Sequence, residues 1–293
     1  MTIRTRFAPS PTGPLHLGHA YSALLAFDMA LAEGGDFLLR IEDIDRSRAR
    51  PEWESLIYED LAWLGLNWPE PVMRQSDRLA VYHAQLQALW ADNLLFACTC
   101  SRRDVTEAAS APQEGAVPVT GPDGIVYPGT CRGRRANTEG HTVPADAALR
   151  LDMGRACARL GDTTFSFLET GAGPDGESGM MDFTAEELTT RIGDVVLARR
   201  DMGTSYHLSV VLDDAAQNVT RVIRGEDLFE ATRIHVVLQR LLGLPTPIYH
   251  HHPLIRDDQG KRLAKRDDAR AISLYRDEGA TPTDLRAMVG LSP

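Results

Sequence analysis

Two imidazoles three residues apart, His16 and His19, stand at the end of the run Pro9-Ser10-Pro11-Thr12-Gly13-Pro14-Leu15-His16-Leu17-Gly18-His19. Proline and glycine forbid helix up to Pro14, and a helical pattern begins at Leu15. Histidines in a first helical turn lie where unpaired backbone N–H groups and the helix dipole attract phosphate, and each ring can add a hydrogen bond to it. Gly18 removes a side chain where a flat ring could lie against the helix. Two plainer readings stay open from the residues alone. The pair could be capping or surface histidines, or a metal pair, although helical metal pairs are usually spaced i, i+4 beside a glutamate.

A second cluster is Gly260-Lys261-Arg262-Leu263-Ala264-Lys265-Arg266, a basic loop whose bland reading is a solvated charge run. Of 31 basic residues only Lys261 and Lys265 are lysines, so a chain that otherwise uses arginine keeps both ammonium groups in one segment. The four cysteines, Cys98, Cys100, Cys131 and Cys157, are too few for a disulfide framework in so long a chain. Cys98-Thr99-Cys100 with the distant Cys131 supplies three soft ligands for a structural zinc, which wants a fourth. His141 and Cys157 are candidates for that place, and buried free thiols are the plain alternative.

The elements that must position these groups are legible in outline. Ile3 to Ala8 reads as a strand, Leu15 onward as a helix stopping at Gly34-Gly35, and Phe37 to Ile41 as a second buried strand. This strand–turn–helix–strand unit puts its turn where α/β folds bind phosphate. Helices are expected over Pro51 to Leu64 and Asp77 to Ala91, the latter capped by Ser76. From Phe96 to about Phe183 proline, glycine and short alternating runs predict an insertion with little helix. Parallel-sheet signals return in Asp194 to Arg199, Tyr206 to Leu212 and Val219 to Arg224, followed by a helix over Ala231 to Leu242. The run His250-His251-His252 straddles a strand, and Arg132-Gly133-Arg134-Arg135 reads as a solvated or RNA-facing surface.

The whole chain bounds the answer. Its 293 residues suffice for about two domains, and 43% hydrophobic with 25% charged residues is ordinary for a soluble protein. No stretch approaches the ~20 apolar residues of a membrane span, nor does the N-terminus carry a signal peptide's apolar run, so a cytoplasmic protein without membrane contact is expected. A net charge of −10 disfavours nonspecific nucleic-acid binding, yet a local arginine patch can still hold phosphates.

His16-Leu17-Gly18-His19 and, more loosely, Arg262-Leu263-Ala264-Lys265-Arg266 resemble the two signatures of class I aminoacyl-tRNA synthetases. In the second, Arg262, Ala264 and Arg266 replace the usual lysine and serines. Arg6 to Gly13, Phe37 to Asp45 and Val222 to Asp227 resemble the glutamate-specific branch. The resemblance implies an α/β fold: a Rossmann-like parallel-sheet catalytic domain in two halves, 1–95 and 186–255, split by a zinc-containing insertion at 96–185. Residues 256–293 then hold the signature loop and a short helical piece.

By the same resemblance the substrates are L-glutamate and ATP with Mg²⁺. His16, Gly18, His19 and Lys265 hold the ATP phosphates; His16, His19 and Lys265 act in catalysis. Arg6 and Arg224 face the glutamate side-chain carboxylate, Ser10 and Glu42 its ammonium group, and Tyr206 closes the pocket. Tyr127 is the fourth zinc ligand that the resemblance proposes beside Cys98, Cys100 and Cys131. Only Asp267 to Pro293 follow the second signature, too short for an anticodon-reading domain core. That shortness and the C-x-C…Tyr-x-x-x-Cys pattern resemble the truncated paralogues, glutamyl-queuosine tRNA(Asp) synthetases, which attach glutamate to queuosine in the anticodon of tRNA(Asp). A monomer is expected. The competing expectations are a conventional core acting on the 3′ end of tRNA(Glu), a non-catalytic RNA- or nucleotide-binding paralogue, and, weakest, a zinc-dependent redox or hydrolytic enzyme.

Overall fold

A computed structural model describes residues 2–110, 118–133, 142–144, 146–256 and 270–292. Its first unit is β1 (Arg4–Phe7), α1 (Leu17–Ala32) and β2 (Asp36–Ile41), with β1 and β2 parallel and Phe7 opposite Leu39. Gly34 ends α1 in the left-handed region (φ +65°). Gly35 then lets the chain press against β1: a Cβ there would lie 2.2 Å from the Ile3 carbonyl oxygen, which accepts from Asp36 N–H at 3.0 Å. Next come α2 (Pro51–Trp63), β3 (Met73–Arg74) and α3 (Leu79–Ala91). Ser76 does not cap α3. It lies in a 3₁₀ turn, Gln75–Arg78, and its N–H donates to the Asp43 carboxylate at 2.8 Å.

The middle of the chain carries β4 (Leu95–Cys98), α4 (Arg102–Ser110), the hairpin β5 (Thr120–Gly121) and β6 (Gly124–Ile125), β7 (Ala148–Leu151), α5 (Met153–Leu160), β8 (Thr164–Glu169) and β9 (Gly179–Thr184). Two helices therefore stand where little helix was expected. Exposed α4 buries no side chain, so it leaves no apolar period to read. Short α5 is set by its ends, an Asp152 cap and a left-handed Gly161 (φ +72°).

After the single turn α6 (Ala185–Glu187) follow β10 (Val196–Ala198), α7 (Tyr206–Ala216), β11 (Arg221–Gly225), α8 (Ala231–Leu241) and β12 (Ile248–His252). Here the structure corrects two expectations. β10 pairs antiparallel with β7, which also pairs antiparallel with β4, because an apolar run records burial and not strand direction. Tyr206 to Leu212 is helix, not strand. Every residue from His207 to Asp214 is buried, and a segment buried on all sides shows neither period. The chain closes with α9 (Ile272–Asp277) and α10 (Pro282–Met288). Ile272 and Leu285 join the core around α1 and β1, and Arg286 forks onto Asp28 at 2.8 Å.

Two sheets meet along the edges of β1 and β11. β3, β2 and β1 are parallel neighbours, as are β11, β12 and β8, with β9 antiparallel at the edge. β1 meets β11 where Thr220 N–H donates to the Arg4 carbonyl (3.0 Å) and Arg4 N–H to the Thr220 hydroxyl (2.8 Å). From β1 the chain runs to β2 on one side and reaches β11 on the other, which makes this junction the switch point where open α/β sheets bind ligands.

Candidate active site

The loop after β1 delivers His16 as the N-cap of α1. Its Nδ1 accepts from Gly18 N–H at 3.1 Å, while His19 Nδ1 accepts from His16 N–H at 3.2 Å, and the rings sit 3.8 Å apart. Capping and phosphate recognition are thus compatible here. Accepting at Nδ1 places each ring's own N–H at Nε2, a donor at the positive end of a helix with no acidic residue in its first turn. A Cβ on Gly18 would lie 3.1 Å from His16 Cε1, so the flat group laid over this glycine is the capping ring itself.

Behind the loop lies a buried chain of charge. Arg6 grips Asp214 with Nε (3.0 Å) and Nη2 (3.4 Å) and donates to the Ile223 carbonyl. Arg40 bridges Asp214 (2.7 Å) to Glu42 (3.0 Å). Glu42 N–H donates to the Pro9 carbonyl, which ties the end of β2 to the loop bearing Ser10, whose hydroxyl lies 3.3 Å from that of Thr12. Burial pushes the Glu42 carboxyl up, and Arg40 offsets this only in part. For Asp214 burial pulls the same way, but Arg6 and Arg40 prevail and hold the group low. Asp213 next to it anchors α7 to α3 through Arg78 (2.6 Å) and Tyr82 (2.8 Å). Asp213, Asp214 and Arg40 were missed in the sequence; two acids closing an apolar run were the available signal.

Arg224, at the end of β11, is 6% exposed, and all five of its N–H groups have neutral acceptors. Nε donates to His251 Nε2 at 3.0 Å. Nη1 faces Tyr206 Oη (3.4 Å) and His235 Nδ1 (3.1 Å), and Nη2 donates to Thr232 Oγ1 (2.7 Å) and the Leu228 carbonyl (3.2 Å). Among the described residues no carboxylate forms an ion pair with it. Tyr206 joins the two clusters: burial raises its phenol, and the charges of Arg224, Glu42, Arg6 and Asp214 all reach it. The structure therefore brings Arg6, Glu42, Tyr206 and Arg224 together. Arg6, Arg40 and Arg224 against Asp214 and Glu42 leave one positive charge in excess when both acids are ionised. In the triple-histidine strand, His251 lies opposite Arg224 in the parallel register, while His252 Nε2 reaches Ser22 on α1 at 2.8 Å.

Lys265 and the rest of the basic loop, including Lys261, Arg262, Ala264 and Arg266, lie outside the described residues. Past that interval Ala271 bridges to His16, and Ile272 N–H donates to the Leu15 carbonyl at 2.9 Å.

A separate cluster gathers Cys98, Cys100 and Cys131, whose sulfurs lie within 4.8 Å of one another. The Tyr127 phenol oxygen is 3.5 Å from Cys98 Sγ and 3.6 Å from Cys100 Sγ, and Cys100 and Cys131 sulfurs are 3.5 Å apart. Ligands at ~2.3 Å around a tetrahedral zinc stand roughly 3.8 Å from each other, so the three thiols and the phenol fit that ion. Burial raises Cys100 to about 11. Cys131 also feels burial, but the Tyr127 contact and the Thr99 backbone bring it down to about 7. Cys157 belongs to another core, with Met153 and Ala156, and His141 lies outside the described residues. Arg132 is exposed, and its guanidinium clasps buried Asp194 at 2.7 and 2.9 Å; Arg134 and Arg135 are not described.

Parallel strands on both sides of a switch point, with a helix N-terminus and a buried arginine cluster near their carboxyl ends, form the kind of arrangement in which α/β enzymes handle nucleotides and anions. The model of tRNA synthetases class I (E and Q), catalytic domain, matches residues 2–120 and 174–292. A glutamyl-Q tRNA(Asp) synthetase of Rhodobacter capsulatus is 63% identical over 287 residues, covering 98% of this chain and 99% of that one. One of Deinococcus radiodurans is 41% identical and covers 96% of this chain and 86% of its own length. The crystal structure of a glutamate tRNA ligase from Elizabethkingia meningosepticum, in complex with its amino acid, aligns with a TM-score of 0.74 at 26% identity. This chain is covered to 99% there and spans 60% of that ligase. The chain belongs to the class I tRNA synthetases, in the group of the glutamyl-Q tRNA(Asp) synthetases. It is an ATP-dependent ligase, of a family that works on an amino acid, ATP and a tRNA. Among the described residues no helix is long and apolar enough to cross a membrane.

Proposed function

We propose that the protein activates L-glutamate as glutamyl-adenylate and transfers it to queuosine in the anticodon loop of tRNA(Asp). The observation that carries the first half is Arg224. A buried guanidinium held only by neutral acceptors, in a cluster with one positive charge in excess, suits a substrate whose net charge is −1. Arg224 takes the side-chain carboxylate; Arg6 supports it from behind, its own charge largely met by Asp214. Glu42 and Ser10 receive the ammonium group, and Tyr206 covers the pocket. The glutamate α-carboxylate oxygen attacks the α-phosphorus of ATP, and the bond to the departing pyrophosphate breaks. Such in-line transfers depend on positioning and charge stabilisation. His16 and His19 donate from Nε2 to the phosphates, and Mg²⁺ arrives with ATP. Lys265 closes on the leaving group, in keeping with the chain's return beside His16 at Ala271.

The second half rests on the names of the similar proteins. A hydroxyl of the queuosine cyclopentene diol attacks the glutamyl carbonyl carbon, AMP leaves, and the hydroxyl proton is lost. An open cavity beside the phosphate loop is lined by Arg46 and Arg50, which offer guanidiniums to RNA phosphates, and by Arg74, which is paired with Glu54 and Asp43 in the same lining. We assign residues 1–95 and 186–255 to the two catalytic halves, 96–185 to an insertion holding one structural zinc on Cys98, Cys100, Tyr127 and Cys131, whose last strands β8 and β9 extend the sheet of β11 and β12, and 256–293 to the signature loop and terminal helices. The family model's gap at residues 121–173 agrees with an insertion. The test is glutamate-dependent pyrophosphate exchange without RNA, followed by transfer of labelled glutamate to tRNA(Asp) with and without queuosine. Exchange that needs tRNA, or transfer indifferent to queuosine, contradicts the proposal.

A further inference from the structure

Arg224 is the meeting point of two imidazole relays that lead to carboxylates, one hydrogen-bonded throughout and one whose last contact is longer. His251 accepts from Arg224 Nε at its Nε2, so the ring proton is on Nδ1, facing Glu169 Oε2 at 2.5 Å. Glu169 Oε1 is filled by two backbone donors, His251 N–H (2.9 Å) and Gly171 N–H (2.7 Å). On the other side His235 accepts from Arg224 Nη1 at its Nδ1, and its Nε2–H faces His207 Nδ1 at 3.2 Å. The His207 proton is then on Nε2, 3.7 Å from Asp123 Oδ1. Each imidazole turns an acceptor toward the guanidinium and a donor toward an acid. Glu169, His251 and His235 are each 1% exposed, so the contacts among them and Arg224 do not compete with water, whereas Asp123 at the end of the second relay is exposed. Burial, then the Arg224 charge, hold His235 far below the ordinary imidazole range and keep it an acceptor. Both acids fall in the stretch 121–173 that the family model leaves unmatched.

We propose that Glu169, through His251, and Asp123, through His207 and His235, are positioning residues for Arg224 that set its preference for the glutamate side chain over the corresponding amide. The inference rests on reading Arg224 as the partner of that side chain. A carboxylate bound directly to Arg224 would make charge-assisted bonds about twice as strong as neutral ones and would compete with the substrate. Acids placed one and two imidazoles away orient the rings and so fix the guanidinium plane without touching it. The contacts left on the fork are neutral ones, which a substrate carboxylate can displace.

Glu169→Gln separates this from a structural role. The amide oxygen must take the two backbone N–H groups, so its NH₂ faces His251 Nδ1. His251 must then accept there, which moves its proton to Nε2 against the Arg224 Nε–H donor. In pyrophosphate exchange, KM for glutamate should rise about tenfold or more, the scale of one lost buried hydrogen bond, and the preference for glutamate over glutamine should fall by a similar factor. The kcat and the KM for ATP should hardly move. Asp123→Asn, acting across a longer contact, should give a few-fold effect in the same direction. A folded Glu169→Gln protein with unchanged glutamate KM and unchanged glutamate-to-glutamine preference overturns the proposal, whatever its melting temperature. If that variant does not fold, Asp123→Asn and His207→Asn decide on the same readouts. Arg224→Ala run in parallel identifies a deeper failure: an unchanged glutamate KM there removes the reading beneath, and the relays' role with it.

Discussion

Replacing Arg224 by alanine removes the charge on which the proposed glutamate site rests. The magnitude follows from what the guanidinium already holds. Its five N–H groups have neutral acceptors, the longest being Tyr206 Oη at 3.4 Å and the Leu228 carbonyl at 3.2 Å, so substrate binding is an exchange and not a pure gain. Hydrogen bonds to a charged partner contribute about 1.5–3 kcal/mol and neutral ones about 0.5–1.5 kcal/mol. Exchanging two of them nets roughly 2–3 kcal/mol, about 30- to 150-fold in kcat/KM. Arg224→Lys keeps the point charge but loses the fork and should fall between. The assay is glutamate-dependent pyrophosphate exchange across a range of glutamate concentrations, with ATP saturating and thermal unfolding as the check on folding. Should Arg224→Ala fold and keep kcat/KM for glutamate within about threefold, the charge-excess argument is wrong.

The raised Glu42 carboxyl gives a pH dependence. Only its ionised form attracts the substrate ammonium, so KM for glutamate should climb as pH falls through that raised value, and Glu42→Gln should weaken binding and flatten the profile. The cysteine cluster should hold one zinc per chain, lost or weakened in Cys98→Ser, Cys100→Ser and Cys131→Ser and kept in Cys157→Ser. Metal retained by Tyr127→Phe together with an intact metal-to-protein ratio would remove Tyr127 from the ligand set. Lys265→Ala should lower exchange on the order of 10²–10³-fold with little change in glutamate KM, the scale for losing one transition-state donor; near-native rates would reject its role.

How far the sequence carried this depends on what each element advertises. The β1–α1–β2 unit was readable because Pro14, His16 and Gly34-Gly35 punctuate it and its apolar residues keep their periods. α7 was not, since burial on every side erased the period, and with it the role of Asp214 as the counter-ion of Arg6 and Arg40 went unseen. The direction of β10 was hidden for a related reason: Val195 to Ala198 records that the strand is covered, not by which neighbour. Cys98, Cys100 and Cys131 could be grouped from spacing because soft ligands are rare in this chain. Arg224 and His251, by contrast, become partners only through the β11–β12 register, and Glu169 joins them from the neighbouring β8. Adjacency across strands far apart in the chain leaves no trace in local pattern.

The central claim is that glutamate goes to a modified base in an anticodon loop. The direct measurement locates labelled glutamate on RNA after reaction with tRNA(Asp) carrying queuosine, tRNA(Asp) lacking it, and tRNA(Glu). Periodate treatment beforehand destroys free vicinal diols. The account predicts label on queuosine-containing tRNA(Asp) alone, abolished by periodate oxidation of the cyclopentene diol and mapped by nuclease digestion to the anticodon loop. Label on the 3′-terminal ribose of tRNA(Glu) at comparable efficiency would contradict it.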